Sequence, residues 1–386
     1  MLTTNRRHTT VVAAVATAVA ASVMVLTGTP AAATVPPGQA FTWGGDGFGQ
    51  LGNGSAGPRL LPGPVAGGFT DVTDLHGGRE HVVVLRSDGS VWTWGSNQKG
   101  QLGTSGTANA ASPVRVAGVP SAVAVATGHY HSMALSADGH IWAWGWNASG
   151  QLGDGTITTR RTPLRVNGID NVVLIAAGAD MSYAVRADGT AWAWGKNNLG
   201  QLGDGTLVGR RTPVRITGLA SVTAIAGGRD HGLAVRADGT VWAWGWNMYG
   251  QVGDGTVANR AVPVQVLTGA TSVAAGAHHS YALRQDGTVW SWGRNYRAEL
   301  GDGTKVQRLR PVPVRGIVGA ASIGSGRDHG LAVLSNGKLM SWGFNTSGQL
   351  GDGTTTTRTT AVVVSGIAGA TKAAGGGEYS VVVASP

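Results

Sequence analysis

The chain has 386 residues, of which 64 are glycine, 42% are hydrophobic and none is cysteine. That apolar content argues against bulk disorder, and a charged fraction of only 13% argues against long charge-laced helices and coiled coils. The absent thiol excludes disulfides, thiolate metal sites and a cysteine nucleophile, while the net charge of +9 makes nucleic acid an electrostatic candidate.

Residues 1–33 read as a secretory signal peptide. Arg6 and Arg7 form a positive n-region, Val11 to Leu26 an uncharged and mostly apolar run, and Ala31-Ala32-Ala33 an A-x-A cleavage site near Ala33. The apolar run is short of the ~20 residues that a membrane span needs, and no later segment is apolar enough to span. The paired arginines raise twin-arginine export, but His8-Thr9-Thr10 fits that route poorly. A secreted product is expected, with a mature domain over 34–386.

From there the chain repeats itself. A Trp-Gly pair begins at Trp43, Trp94, Trp144, Trp194, Trp244, Trp292 and Trp342, with spacings of 48 to 51 residues. A G-Q-L-G-like tetrad follows each pair, and a landmark glycine (Gly78, Gly128, Gly178, Gly228, Gly276, Gly326, Gly376) stands three residues before an H-S-like pair. Within 172–195, Val172–Ala176 predicts an apolar strand, Gly178–Asp180 a turn and Ser182–Val185 a second strand. Asp188-Gly189 predicts a type I′ hairpin, and Thr190–Trp194 a third strand with Trp192 and Trp194 on one face. Pro213–Ile216 makes a fourth. Four short strands per unit, seven times over, predict an all-β, closed seven-bladed β-propeller.

The ends support closure. Asp88, Asp138, Asp188, Asp238, Asp286 and Asn336 each precede glycine, giving six hairpins. The seventh is replaced by a chain that starts in a third strand (Ala40–Trp43) and stops in a second (Tyr379–Val383). The two termini therefore share the closing blade, with 379–383 antiparallel to 40–43, which removes open sheet edges.

The run from Gly128 to Gly155 resembles the repeat of the regulator of chromosome condensation family, and the likeness extends over about 41–384. The resemblance implies a seven-bladed propeller, and by analogy guanine nucleotide exchange. The family's GTPase-contacting wedge is an insertion, however, and no unit here carries one. In place of the family's basic chromatin tail stands the export signal. The units are also similar to those of a secreted bacterial beta-lactamase inhibitory protein, which binds its enzyme through aromatic residues on one face; they differ by a D-G-T-x-x-x-R extension.

Three sets of residues are candidates for chemistry. His81, His131, His231, His279 and His329 share one repeat position, with Met181 and Tyr379 at the other two. One histidine per blade is better explained by hydrogen bonding within the scaffold than by metal ligation at ~2.1 Å. Arg79-Glu80-His81, Arg229-Asp230-His231 and Arg327-Asp328-His329 resemble acid–histidine dyads, but repetition over several blades does not make a catalytic site. Asp154, Asp204, Asp254, Asp302 and Asp352 each precede an arginine (Arg160, Arg210, Arg260, Arg308, Arg358) by six residues, and Asn53 and Arg59 fill the same places in the first unit. The second unit has Thr104 and Ala110, losing both partners together, and the spacing predicts an Asp–Arg pair within the glycine-rich loops that carry both. No catalytic residue, metal set or cofactor is assigned.

Strand alternation places the turn after each first strand and the loop after each third strand on one face, with the Asp-Gly hairpins on the other. The first face holds the least repetitive residues: Phe48, Arg79, Glu80, Tyr130, Trp146, Asp180, Arg229, Asp230, Trp246, Tyr249, Arg294, Tyr296, Arg297, Arg327, Asp328 and Phe344. Aromatics and arginines mixed with acids fit a protein interface. The reading is a secreted, monomeric, non-catalytic scaffold that binds another protein or a cell-surface macromolecule, with inhibition of a secreted enzyme such as a beta-lactamase as its sharpest form. Nucleic acid is disfavoured by export and by the lack of aromatics along a basic groove. The alternatives are nucleotide exchange and a secreted polysaccharide- or lactone-acting enzyme.

Overall fold

Alternating short strands and glycine turns leave each unit of this chain with two apolar faces and nowhere to bury them but against the next unit. The computed structural model describes residues 37–55 and 57–385; the expected signal peptide and its cleavage point lie outside the described residues. Twenty-eight strands among the described residues form seven antiparallel four-stranded sheets. In each sheet the first strand lines a central channel and the fourth is outermost, as in the order Val172–Ala177, Met181–Arg186, Ala191–Gly195 and Arg210–Arg215.

Closure is made as expected. The strand Gln39–Gly44 pairs antiparallel with Tyr379–Ala384, setting Ala40 opposite Val383 and Trp43 opposite Ser380. Each terminus supplies two strands of this blade. On its inner edge Lys372 pairs with Asp74 of the adjoining blade, and the second oxygen of Asp74 accepts the Val125 amide.

Two local expectations are corrected. The Asp-Gly hairpins are not type I′. The Gly89 amide donates to the Arg86 carbonyl, Gly89 alone takes a positive φ of 78°, and Asp88 accepts the Ser90 amide and hydroxyl. A single left-handed glycine is the G1-bulge arrangement, with the aspartate bracing it from outside. The fourth strand of that unit begins at Arg210 rather than Pro213, because Gly195 pairs with Arg210 before the register slips.

The core is divided among seven seams, each between two neighbouring sheets. One seam packs Met181, Tyr183 and Val185 of one blade against Ala234 and Trp244 of the next. The second tryptophan of every W-x-W-G-like run is fully buried in such a seam. Its indole N–H donates at 2.8–3.0 Å to a tetrad carbonyl of the preceding blade, as Trp194 does to Gln151 and Trp43 to Gln349. Burying a ring of ~200 Å² is worth about 5 kcal/mol. The landmark glycine has a steric cause: a Cβ at Gly128 would land on the His131 imidazole and the Gly178 carbonyl.

Candidate functional site

The histidines are scaffold. His131 lies 3.0 Å from Ser182 of the next blade, and Ser182 donates to the Gln151 carbonyl at 2.8 Å. A serine already donating must accept from the ring, which fixes the Nε2–H tautomer. The same relay runs from His81 through Ser132, from His231 through Ser280 and from His329 through Ser380. Burial depresses these rings to about 3 for His81, His131 and His231 and about 4 for His329.

Most of the expected loop pairs form. Arg160 and Asp154 meet at 2.8 Å, and Arg210, Arg260, Arg308 and Arg358 pair likewise with Asp204, Asp254, Asp302 and Asp352. In each, an asparagine two residues after Trp-Gly donates to the aspartate and to two loop carbonyls, as Asn197 does to Asp204, Thr206 and Val208. The first unit departs from this. Asp46 occupies the asparagine place, Asn53 caps Ser55, and Arg59 reaches the Pro64 carbonyl instead of Asn53. Carboxylate and amide have exchanged places there, so the expected Asn53–Arg59 contact is not made.

On the same face, nearer the axis, the units stop repeating. The turns after the first strands surround an open crater. Their third positions carry Arg79, His129, Ala179, Arg229, Ala277, Arg327 and Gly377. Backbone bonds tie neighbouring turns together, as from His129 to Ala179, from Ala277 to Arg327 and from Gly377 to Arg79. The next positions carry five acids, Glu80, Asp180, Asp230, Asp328 and Glu378, with Tyr130 and His278, and two of the acids are buried. Asp230, only 5% exposed, meets Lys196 at 3.0 Å and Gln201 at 3.2 Å. Asp328, 1% exposed, is held by Arg294 and by Arg297 at 3.0 Å. Burial raises the carboxyls of Glu80 and Asp180, opposed by Arg79 in the first case and Lys196 in the second.

The aromatics fall into two groups. Trp246, Tyr249 and Tyr296 form an edge-on chain with the buried His278, with ring centres 5.1–6.1 Å apart. Beyond them Arg297 stacks over Phe344 at 4.2 Å. Across the crater Lys99 lies over Trp146 at 4.5 Å and Arg79 over Tyr130 at 5.7 Å, lining a cleft with Asp180, Lys196 and Arg229. Phe48 stands apart, half-buried, its amide bonded to Gln50. Of the residues singled out from sequence, Asp230 and Asp328 lie beneath the surface and act by holding cations. Sequence reasoning passed over Lys99, His129, Lys196, His278, Met248 and Glu299. Glu299 was the most legible of these, because it breaks the glutamine of the tetrad, and Arg294 answers it at 2.7 Å.

The RCC1-like domain family matches residues 39–382. The chain is 35% identical over 80 residues, 20% of its length, to the ultraviolet-B receptor UVR8 of Arabidopsis thaliana. It is 37% identical over 91 residues, 22% of its length, to the probable E3 ubiquitin-protein ligase HERC4 of Homo sapiens. These matches span 18% and 8% of those relatives. Among solved structures, Prp20p of Saccharomyces cerevisiae, studied for its binding to Gsp1p and histones, superposes with a TM-score of 0.81 at 25% identity, covering 91% of this chain and 93% of its own. Human WBSCR16 superposes at 0.80 with 24% identity over 90% and 98%, a likeness of fold. Fold, blade number and repeat pattern agree, and the chain belongs to the RCC1-like domain family.

Proposed function

We propose that this chain is a secreted, non-catalytic protein-binding propeller that engages its partner through the face bearing Trp246, Tyr249, Tyr296, Arg297 and Phe344. The observation that carries this reading is the aromatic chain. It lies on the one face where neighbouring units cease to resemble each other, and it ends in Tyr296, 59% exposed; Met248, adjacent in the chain to Tyr249, is 61% exposed. Large amphipathic rings flanked by arginines are the side chains that dominate binding energy at interfaces. Prp20p, whose binding to Gsp1p and histones has been studied, supports a protein as the class of partner.

The N-terminal pattern supports export with cleavage near Ala33, which places the partner outside the cytoplasm. A secreted enzyme such as a beta-lactamase is the sharpest candidate. Nucleotide exchange and hydrolysis of a polysaccharide or lactone are the competing readings, each with a turnover assay as its arbiter.

The test is capture from culture supernatant on purified residues 34–386, with the same chain carrying Trp246→Ala and Tyr296→Ala as control. The expected outcome is a retained protein that the double variant loses by at least about tenfold in affinity, ~1.4 kcal/mol, at a near-unchanged melting temperature. Equal retention by both chains overturns the assignment of the face. Full beta-lactamase activity at saturating protein removes that candidate.

A further inference from the structure

The crater at the axis has a charge pattern that the aromatic interface does not use. Around its seven turns the third position reads arginine, histidine, alanine, arginine, alanine, arginine, glycine. The arginines are therefore three, two and two blades apart, the most even spacing that three residues can take on a seven-fold ring. His129 lies in the longest gap, and Ala179, Ala277 and Gly377 leave the remaining wall low.

These arginines differ from the others on the face. Arg210 and its counterparts are committed to loop aspartates by hydrogen bonds. Arg79, Arg229 and Arg327 are 42%, 53% and 39% exposed, and among the described residues their guanidiniums make no hydrogen bond. Each has an acid one residue on (Glu80, Asp230, Asp328), with closest approaches of 3.4–3.6 Å at Nε, and Arg327 also lies 3.9 Å from Glu378. Asp230 and Asp328 have closer partners in Lys196 and in Arg294 and Arg297. The outer cations thus hold Asp230 and Asp328, and leave Arg229 and Arg327 with only their longer contacts; Arg79 keeps Glu80 as its one paired acid. His129 sits among these cations: burial, then Arg79, Arg229, Arg327 and Lys196, hold it down to about 4. The Thr127 hydroxyl, on the same wall, has no partner.

We infer that the axial crater is an oxyanion site, in which Arg79, Arg229, Arg327 and His129 take a compact polyanion with clustered carboxylate or phosphate oxygens. Planar guanidiniums match such groups two oxygens at a time, and three of them around one crater favour multivalent over single anions. The backbone bonds between turns hold the arms' bases in place, so little ordering is needed on binding. The site does not depend on the protein-partner reading. A failed capture leaves it standing, and a failed titration leaves the aromatic interface standing.

The experiment is calorimetric titration of residues 34–386 at fixed ionic strength with citrate, with tripolyphosphate and with acetate. Saturable one-to-one binding of citrate or tripolyphosphate, with acetate much weaker, is expected; whichever of the two binds identifies the ligand as carboxylate or phosphate. Arg79→Gln, Arg229→Gln and Arg327→Gln together reduce affinity at least tenfold. Arg165→Gln with Arg215→Gln, away from the ring, leaves it within twofold. Should the triple variant not fold, Arg229→Gln alone and the His129 ring resonance of the unaltered chain, which shifts on ligand addition, give the same answer. The inference is overturned if neither polyanion saturates, if acetate binds as well, if the ring variant binds like the parent, or if His129 does not respond.

Discussion

Two regions of one face use arginine in opposite ways. In the outer loops Arg160, Arg210, Arg260, Arg308 and Arg358 are each closed onto a carboxylate that also collects an asparagine and a threonine. In the inner ring Arg79, Arg229 and Arg327 stand without a hydrogen bond among the described residues, and their positions are not repeated in the other blades. The Asp-Gly face behaves like the outer loops, since Arg86, Arg186, Arg236 and Arg284 each cover the first tryptophan of their own blade. Repetition within a chain therefore separates scaffold from recognition: a residue every unit needs is satisfied inside the unit or at its seam, and an unrepeated one is left over for something else. Altering repeated groups should cost stability, and altering unrepeated ones should cost binding.

The severest break comes at the one blade that no continuous unit builds. Deleting residues 379–386 removes the strand Tyr379–Ala384, in which Tyr379, Val381, Val382 and Val383 are fully buried. At ~1.5–3 kcal/mol for each buried side chain the loss is about 6–12 kcal/mol, similar to the whole stability of an ordinary domain. The truncated chain is expected to lack a cooperative melt by calorimetry. A transition within a few degrees of the parent would mean that the ring does not need its seal.

Acid tests the next level, the histidine relays. Each ring gives its Nε2–H to a serine, while its Nδ1 has no acceptor. Protonation would aim a second N–H at nothing. An unfolded histidine titrates near 6.5, whereas the buried ones are held to about 3 or 4. Between those values the unfolded chain binds more protons, so stability is full above about pH 6.5 and falls as pH drops. At pH 5 each relay loses ~2 kcal/mol, and the four together lower the melting temperature by about 10 °C. A melting temperature that stays level from pH 7 to pH 5 would remove the relays from the scaffold.

Those relays also mark what the sequence could and could not reveal. Blade number, strand order and the pairing of 40–43 with 379–383 were legible because each follows from spacing along one unit. The loop pairs were legible for the same reason, as Asp and Arg stand six residues apart. Contacts between units were not. Where glycine replaces the relay serine, at Gly232 and Gly330, the preceding blade supplies a tyrosine whose hydroxyl reaches the orphaned carbonyl: Tyr183 to Gln201 at 2.6 Å and Tyr281 to Glu299. The glycine is then obligatory, since a Cβ there would overlap the Trp244 or Trp342 indole. Such an exchange couples residues 49 positions apart and leaves no periodic trace. The depth of Asp230 and Asp328 was hidden for a similar reason: the cations that cover them come from other loops.

The mildest test asks whether an outer-loop arginine is needed even where it repeats. Asp204 accepts the Asn197 amide, the Thr206 amide and hydroxyl, and Arg210. Burial alone would raise its carboxyl, but the Thr206, Arg210 and Asn197 hydrogen bonds outweigh it and hold the group below the usual carboxylate range. Asp204→Ala strands three donors besides the arginine and is expected to cost ~1–3 kcal/mol. Arg210 is a third exposed, so solvent screens its share, and the coupling between the two in a double-mutant cycle should stay below ~1 kcal/mol. The second unit already shows the limit of this arrangement: with Thr104 and Ala110 in the two places, Asn97 still bonds Thr104 and the Gly106 carbonyl, and the loop keeps its form. The asparagine is therefore the part of the device that a loop retains when the ion pair is gone. A coupling well above 1 kcal/mol by denaturant unfolding would reverse that order and make the arginine indispensable to the outer loop.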